Sequence, residues 1–186
     1  MLKGGVSPNI VNNKGNTPLI IAASLGDVPN VQHLLAYRAD TNAANKDGNT
    51  ALIYAARYNH PQIIKLLLLP QTMQTPVDVN AQNKKGETAL YWGALRGNVE
   101  TVKRLLAAGA DPTIAAKDGL VPYAVAQRYG RTNVQEWFNK DIREVENAVI
   151  AQDNAQVLAQ REAQTQDRGE DIFAATAKGN RARVEE

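Results

Sequence analysis

The stretch that decides the fold is Lys46-Asp-Gly-Asn-Thr-Ala-Leu52, a polar turn that leads into an apolar segment. Three further copies are Asn13-Lys-Gly-Asn-Thr-Pro-Leu19, Lys84-Lys-Gly-Glu-Thr-Ala-Leu90 and Lys117-Asp-Gly-Leu-Val-Pro-Tyr123. The same position recurs at Thr17, Thr50, Thr88 and Val121, at steps of 33, 38 and 33 residues. A period of this length is typical of a solenoid built from small helical units.

The longer second step has a visible cause in Pro70-Gln-Thr-Met-Gln-Thr-Pro76, which stands where the other copies have a short connection. Its two prolines disfavour a helix, because proline lacks the amide hydrogen that a helix interior needs. Lengthening a surface loop costs little closure entropy. We therefore expect residues 70–77 to form an exposed loop that leaves the stack of repeats intact.

Each copy carries the signals of two short helices. In the second copy, Gly48 suits a turn with positive φ, and Thr50 can cap the first helix with its hydroxyl. Small residues such as Ala55 and Ala56 let neighbouring helices approach closely, and Asn59 can end the helix. The second helices carry apolar residues at helical spacing, namely Val31, Leu34 and Leu35, then Ile63, Ile64, Leu66 and Leu67, then Val102, Leu105 and Leu106.

This layout of β-turn, helix, loop and helix resembles the ankyrin repeat. The resemblance rests on the Thr-Pro-Leu-type openings and on the closing segments Ala39-Asp-Thr-Asn42, Val77-Asp-Val-Asn80 and Ala110-Asp-Pro-Thr113. It implies an all-α solenoid of helix pairs with projecting β-turns. The family's histidine after Thr-Pro-Leu, which joins neighbouring turns by hydrogen bonds, is replaced, and we expect apolar packing to substitute for it. The replacing residues are Ile20, Ile53, Tyr91 and Ala124.

The two ends of the chain read as complementary halves of one further repeat. Residues 1–12 align with the close of a repeat, and residues 171–186 align with the front of one. Counted across a join of Glu186 to Met1, Glu170 lies 33 residues before Thr17, which is the repeat period. Four interpretations stay open: a circular permutation, a segment cut from tandem arrays, docking of the half-repeat on another copy, or an arbitrary boundary.

Between these regions, residues 140–169 contain no proline and one glycine, at position 169. Apolar residues from Ile142 to Ala159 predict helix, either continuous or broken near Asp153-Asn154. We therefore expect ankyrin-like repeats over residues 1–139, the first truncated at its N-terminal side. A helical connector over residues 140–169 and a front half-repeat over residues 171–186 should follow.

Composition excludes several classes of function. The net charge of the 186-residue chain is +2, which gives no general case for binding nucleic acid or membranes. There is no cysteine, and His33 and His60 are the only histidines, both more typical of surface or loop positions than of ligands. We find no phosphate-binding loop and no catalytic constellation. We expect a soluble non-enzyme without cofactor or metal; its compartment stays open, with the cytoplasm favoured.

The resemblance implies that partners bind a concave face made of turn tips and the exposed ends of the first helices. The tips correspond to Asn13, Lys14, Asn16, Lys46, Asp47, Asn49, Lys84, Lys85, Glu87, Lys117, Asp118 and Leu120. The helix positions correspond to Ser24, Leu25, Arg57, Tyr58, Leu95, Arg96, Arg128 and Tyr129.

From this surface we select candidate partner-binding residues, because arginine beside a large side chain recurs in three of four copies and both types form binding hot spots. The favoured function is a protein-interaction scaffold whose partner is another protein of unknown identity. The alternative is that these residues are scattered, solvent-exposed side chains without a binding role. A second functional hypothesis is self-assembly, with residues 171–186 meeting residues 1–35. The candidates are Lys46, Asn49, Arg57, Tyr58, Lys84, Glu87, Leu95, Arg96, Leu120, Arg128 and Tyr129.

Overall fold

The computed structural model describes residues 7–69, 76–140, 144 and 147–160. Within these ranges the chain folds into short helices, and the only β-structure is an isolated antiparallel bridge between Ala44 and Thr50. The predicted all-α repeat architecture is confirmed. The helices are α1 (Pro18–Leu25), α2 (Val28–Ala36), α3 (Ala51–Arg57), α4 (Pro61–Leu68), α5 (Ala89–Arg96), α6 (Val99–Ala107), α7 (Pro122–Arg128) and α8 (Thr132–Gln135), followed by a 3-10 helix (Glu136–Asn139).

The first helix of each repeat begins at the predicted cap. The hydroxyl oxygens of Thr17, Thr50 and Thr88 accept hydrogen bonds from backbone N–H groups three residues later, at 3.1–3.3 Å. Val121 cannot cap α7, and Pro122 follows it where a missing N–H does little harm. Helices α1 and α5 end at Gly26 and Gly97 in the left-handed conformation.

The helices form two layers. Helices α1, α3, α5 and α7 pack side by side in chain order, and α2, α4, α6 and α8 form a second row behind them. Alanines at the centre of the first row, such as Ala23 and Ala56, are buried and allow this close approach. The core between the rows is filled by fully buried aliphatic side chains, including Leu19, Leu52, Ile63, Ile64, Leu67, Leu90, Val102 and Leu105.

A ladder of asparagines joins the closing segments of successive repeats. The Oδ1 atoms of Asn42 and Asn80 accept hydrogen bonds at 2.8 Å from the backbone N–H groups of Asp78 and Asp111 in the following repeat. Asn9 makes the same bond to Asp40, also at 2.8 Å. Residues 7–9 therefore sit where the close of a preceding repeat would lie.

Residues 76–78, which follow the inserted segment in the sequence, make regular contacts with the preceding repeat and the core. The side chain of Asn42 donates to the carbonyl oxygen of Pro76 at 2.8 Å and accepts from Asp78, and Val77 packs against the core. The two rows of helices continue across this point, since α3 packs on α5 and α4 on α6. Residues 70–75, which carry most of the expected exposed loop, lie outside the described residues.

A second unit begins at Asn147, and residues 147–160 in it are helical without interruption. The alternative break near Asp153-Asn154 is therefore wrong, because the helix runs through both residues. Residues 171–186, on which the half-repeat hypothesis depends, lie outside the described residues, as do residues 1–6. No helix in the described ranges is long and apolar enough to span a bilayer.

Candidate interaction surface

Backbone hydrogen bonds fasten the turn tips to one another. The N–H of Lys46 donates to the carbonyl of Lys14 at 3.1 Å, and Lys84 donates to Asp47 at 2.9 Å. The last tip is attached in the same way, since Lys117 donates to Lys85 at 2.8 Å. The four tips therefore form one continuous edge along which lysine side chains are exposed.

Asparagine side chains tie the bases of the turns together. The Nδ2 of Asn45 donates to Asn16 Oδ1 at 2.8 Å, and the Nδ2 of Asn83 donates to Asn49 Oδ1 at 2.9 Å. The expectation that apolar packing replaces the family's histidine bonds is therefore incomplete. Ile20 and Ile53 are buried as expected, but hydrogen bonds between turns persist from another position.

The last turn is joined differently, because Ala116 stands where the earlier turns have asparagine. Here the hydroxyl of Tyr91, at one of the replaced histidine positions, donates to Asp118 Oδ2 at 2.9 Å. Burial, together with this hydrogen bond, raises the pKa of the Tyr91 hydroxyl above its ordinary value, which favours the neutral form that donates the bond. Each turn after the first is thus bonded through a side chain to the preceding repeat.

A cluster of aromatic rings around one arginine lies at the centre of the first-helix row. The rings of Tyr54 and Tyr58 stack with centroids 5.9 Å apart and planes 2° from parallel. The Arg57 guanidinium lies 4.6 Å from the Trp92 ring centroid and 5.8 Å from that of Tyr58. Because the Tyr54 hydroxyl accepts from Asn45 Nδ2 at 3.1 Å, this cluster continues into the turn edge. We call these four residues, Tyr54, Arg57, Tyr58 and Trp92, the aromatic cluster.

The ends of the first helices are also linked between repeats. The Nε of Arg96 donates to the carbonyl oxygen of Arg57 at 2.7 Å, and the Nε of Arg131 donates to that of Leu95 at 3.0 Å. His60 Nε2 lies 3.3 Å from the carbonyl oxygen of Ser24, so this histidine connects two repeats. Cationic or polar side chains at helix C-termini satisfy carbonyls that the helix itself leaves free.

The candidate residues differ in exposure. Asn49 needs correction, because it is buried and its side chain is bonded to Asn83, so it is not available to a partner. Leu95 and Leu120 pack together against Tyr91 and are half-buried. Arg57 and Glu87 are half-buried, and Lys46, Tyr58, Lys84, Arg96, Arg128 and Tyr129 are exposed.

Several residues that form the aromatic cluster and the bonds between turns were not among the candidate partner-binding residues. Tyr54 and Trp92 occupy the same position in their repeats, four residues after the capping threonine, and this shared register was a usable signal. Asn45 and Asn83 likewise share a register. Among the described residues no three His, Asp or Glu side chains group as a metal site, and the surface offers aromatic, cationic and amide groups.

Family comparisons agree with the repeat geometry. The family model for ankyrin repeats (3 copies) matches residues 1–75, and that for ankyrin repeats (many copies) matches residues 72–106. The chain belongs to the ankyrin-repeat family. Ankyrin repeats are generic protein–protein interaction modules, so the family assigns a protein-binding role at that level.

Curated relatives carry the same repeats inside longer chains. The chain is 43% identical over 67 residues to the ankyrin repeat domain-containing protein SAT10 of Stachybotrys chartarum, which is 33% of this chain and 4% of that protein. It is 43% identical over 61 residues to the ankyrin repeat and SAM domain-containing protein 6 of Rattus norvegicus, or 32% of this chain and 7% of that one. It is also 43% identical over 54 residues to the probable E3 ubiquitin-protein ligase XBOS33 of Oryza sativa subsp. japonica, which is 29% of this chain and 10% of that protein. The chain thus spans a tenth or less of these relatives.

Proposed function

We propose that this ankyrin-repeat chain binds a partner protein on its inner face, as a scaffold without catalytic activity. The inner face denotes the turn tips and first-helix positions that the ankyrin resemblance selected, without the buried Asn49. The aromatic cluster is the observation that carries the proposal. Tyrosine, tryptophan and arginine supply most binding hot spots, because each buries a large area while keeping hydrogen-bonding capacity.

The contacts within the aromatic cluster favour binding because they hold its side chains in place before a partner arrives. Tyr58 stacks on Tyr54, and the Arg57 guanidinium lies near the rings of both Tyr58 and Trp92. A side chain that is already ordered loses less conformational entropy on binding than a free one. Tyr58 nevertheless keeps 47% of its surface exposed, so a partner can still cover it.

Tyr58→Ala is expected to weaken partner binding by about 1–2 kcal/mol, roughly 5- to 30-fold in Kd, because it removes an exposed hot-spot ring. The measurement is titration calorimetry with a purified partner obtained by affinity capture. Tyr37→Ala is the matched control, since Tyr37 is 51% exposed but follows a second helix. An equal loss of affinity in both variants, or no loss in Tyr58→Ala, would contradict the proposal.

Self-association is a second candidate function, favoured by the N-terminal side of the first described helix pair. Asn9 already makes the bond that closes a repeat, and Asn30 is exposed where Ile63 and Val134, its equivalents, are fully buried. Within the described residues, this side of α1 and α2 is therefore exposed at Asn30. The sequence of residues 171–186 has the pattern of a repeat front that fits it. Because Asn30 is polar, covering it removes little apolar surface from water, so we expect the association to be weak.

Sedimentation velocity at increasing concentration tests the second candidate. The sedimentation coefficient should rise with concentration, and Val184→Asp should abolish the rise, because Val184 aligns with the buried core residue Val31. Gln166→Asp, a change outside the half-repeat, should leave the rise intact. A concentration-independent monomer would contradict the self-association candidate.

A further inference from the structure

The inner face carries a positive charge that the composition of the whole chain conceals. Eight of its residues are cationic and three are acidic, a surplus of five positive charges. The complete chain has 21 basic and 19 acidic residues, so 13 basic and 16 acidic residues remain elsewhere. The cationic residues are Lys14, Lys46, Arg57, Lys84, Lys85, Arg96, Lys117 and Arg128, and the acidic ones are Asp47, Glu87 and Asp118.

Two of the three acidic groups are already engaged within the protein. Asp118 accepts hydrogen bonds from the Tyr91 hydroxyl and the Leu120 N–H, and Glu87 accepts from Asn83 Nδ2 at 2.8 Å. The exposed lysines along the turn edge have no such partners; within the described residues, Lys46 and Lys84 make only backbone bonds. The donors to Asp118 and Glu87 are neutral and leave the carboxylates charged, so the turn edge carries five exposed lysines against three acidic groups, a surplus of two positive charges.

From this charge distribution we infer that the inner face recognises an acidic protein segment in which carboxylates alternate with aromatic or aliphatic side chains. The inference rests on the proposed function and names its partner class. Carboxylates of such a segment meet the lysines of the turn edge, and its apolar side chains cover Tyr58 and the exposed Leu25. Complementary charge of this kind raises the association rate and excludes basic competitors.

The pattern favours a peptide over a nucleic acid. Asp47 and Asp118 stand directly beside Lys46 and Lys117, so carboxylates interrupt the cationic edge. A duplex carries about one negative charge per 1.7 Å along its axis, and it would press phosphates against these carboxylates. A peptide can instead place apolar or amide groups opposite them. The exposed rings and Leu25 also match apolar side chains.

The test is fluorescence anisotropy of a labelled peptide of repeating Glu-Leu-Asp-Tyr, against the full chain. We expect binding that weakens at least about fivefold when salt is raised from about 50 to about 300 mM, because exposed charges are screened over shorter distances. A peptide of repeating Lys-Leu-Lys-Tyr and a short DNA duplex should bind at least about tenfold more weakly. Equal or tighter binding of either competitor, or no binding of the acidic peptide, would overturn the inference.

Charge-reversed variants locate the effect. The triple variant Lys46→Glu, Lys84→Glu and Lys117→Glu should weaken acidic-peptide binding at least about tenfold, and Lys84→Glu alone about threefold. Arg38→Glu is the control for the single change, since it alters the net charge equally but Arg38 is exposed after α2, outside the inner face. Equal losses in Lys84→Glu and Arg38→Glu would show that only net charge matters, and the inference would fail.

This failure can be told apart from a failure of the proposed function. A captured partner that depends on Tyr58 but is indifferent to the lysine reversals would leave inner-face binding intact and refute its acidic character. A partner whose binding is unchanged by Tyr58→Ala and by the lysine reversals would refute both the proposed inner-face binding and its acidic partner class. Thermal melts followed by circular dichroism establish that each variant keeps the helical fold.

Discussion

Asn83→Ala is expected to lower the free energy of unfolding by about 3 kcal/mol, because four buried or half-buried hydrogen bonds disappear together. Asn83 Oδ1 accepts from the N–H groups of Lys85 and Glu87, at 2.9 and 3.0 Å. Its Nδ2 donates to Asn49 in the preceding turn and to Glu87. Alanine leaves Asn49 and the turn amides without these partners. Chemical denaturation followed by circular dichroism measures the change.

Asn12→Ala is the matched control for this prediction. Asn12 Oδ1 accepts the same two turn bonds, from Lys14 at 2.9 Å and Asn16 at 3.0 Å, but Asn12 is exposed. Water can replace an exposed hydrogen bond, so we expect a loss of only about 1 kcal/mol. Comparable losses in the two variants would mean that the side-chain bonds between turns add nothing to stability.

Gly86→Ala is expected to cost about 3 kcal/mol, since strain and crowding act on the same residue. Gly86 is buried with φ at +75°, a conformation that alanine adopts at a cost of about 1–2 kcal/mol. Its added Cβ would lie 3.0 Å from the backbone nitrogen of Lys117 and 3.1 Å from the Cα of Ala116. These are backbone atoms of the next turn, so relief requires the two turns to separate.

Gly119→Ala isolates the conformational part of this cost. Gly119 occupies the same position in the last turn with φ at +79°, and nothing lies within 4 Å of the Cβ that alanine would add. We expect a loss of about 1 kcal/mol in the same denaturation experiment. If Gly86→Ala is no more destabilising than Gly119→Ala, the turns are not packed as closely as described.

The helices could be predicted from the sequence because their signals are local. Thr17, Thr50 and Thr88 each cap a helix through an amide only three residues away, and the glycine and asparagine stops act at the helix end. Repetition of these signals at a fixed period then implied the two rows of helices. The bond between Asn83 and Asn49 spans 34 residues and depends on how two turns pack, so the register that Asn83 shares with Asn45 was its only signal in the sequence.

The exposure of the candidate partner-binding residues could be predicted only in part. Family position selected Arg57 and Tyr58, while the contact of Arg57 with Trp92 depends on how two repeats pack. Asn49 was placed among the partner-binding residues because turn tips are generally exposed. Its side chain instead points into the bonds between turns, where it is buried. The exposure of a residue within a repeat can therefore be predicted only when the packing of the neighbouring repeat is known.

Site-specific photo-crosslinking tests the central claim, partner binding on the inner face, most directly. The photoreactive p-benzoylphenylalanine replaces Tyr58, Tyr129 or Tyr37 one at a time, all three of which are exposed tyrosines. The purified partner is then added, and crosslinked species are separated by electrophoresis and mapped by mass spectrometry. Crosslinks to the partner from positions 58 and 129, but not from position 37, are the predicted result. Crosslinks from position 37 alone would contradict binding on the inner face.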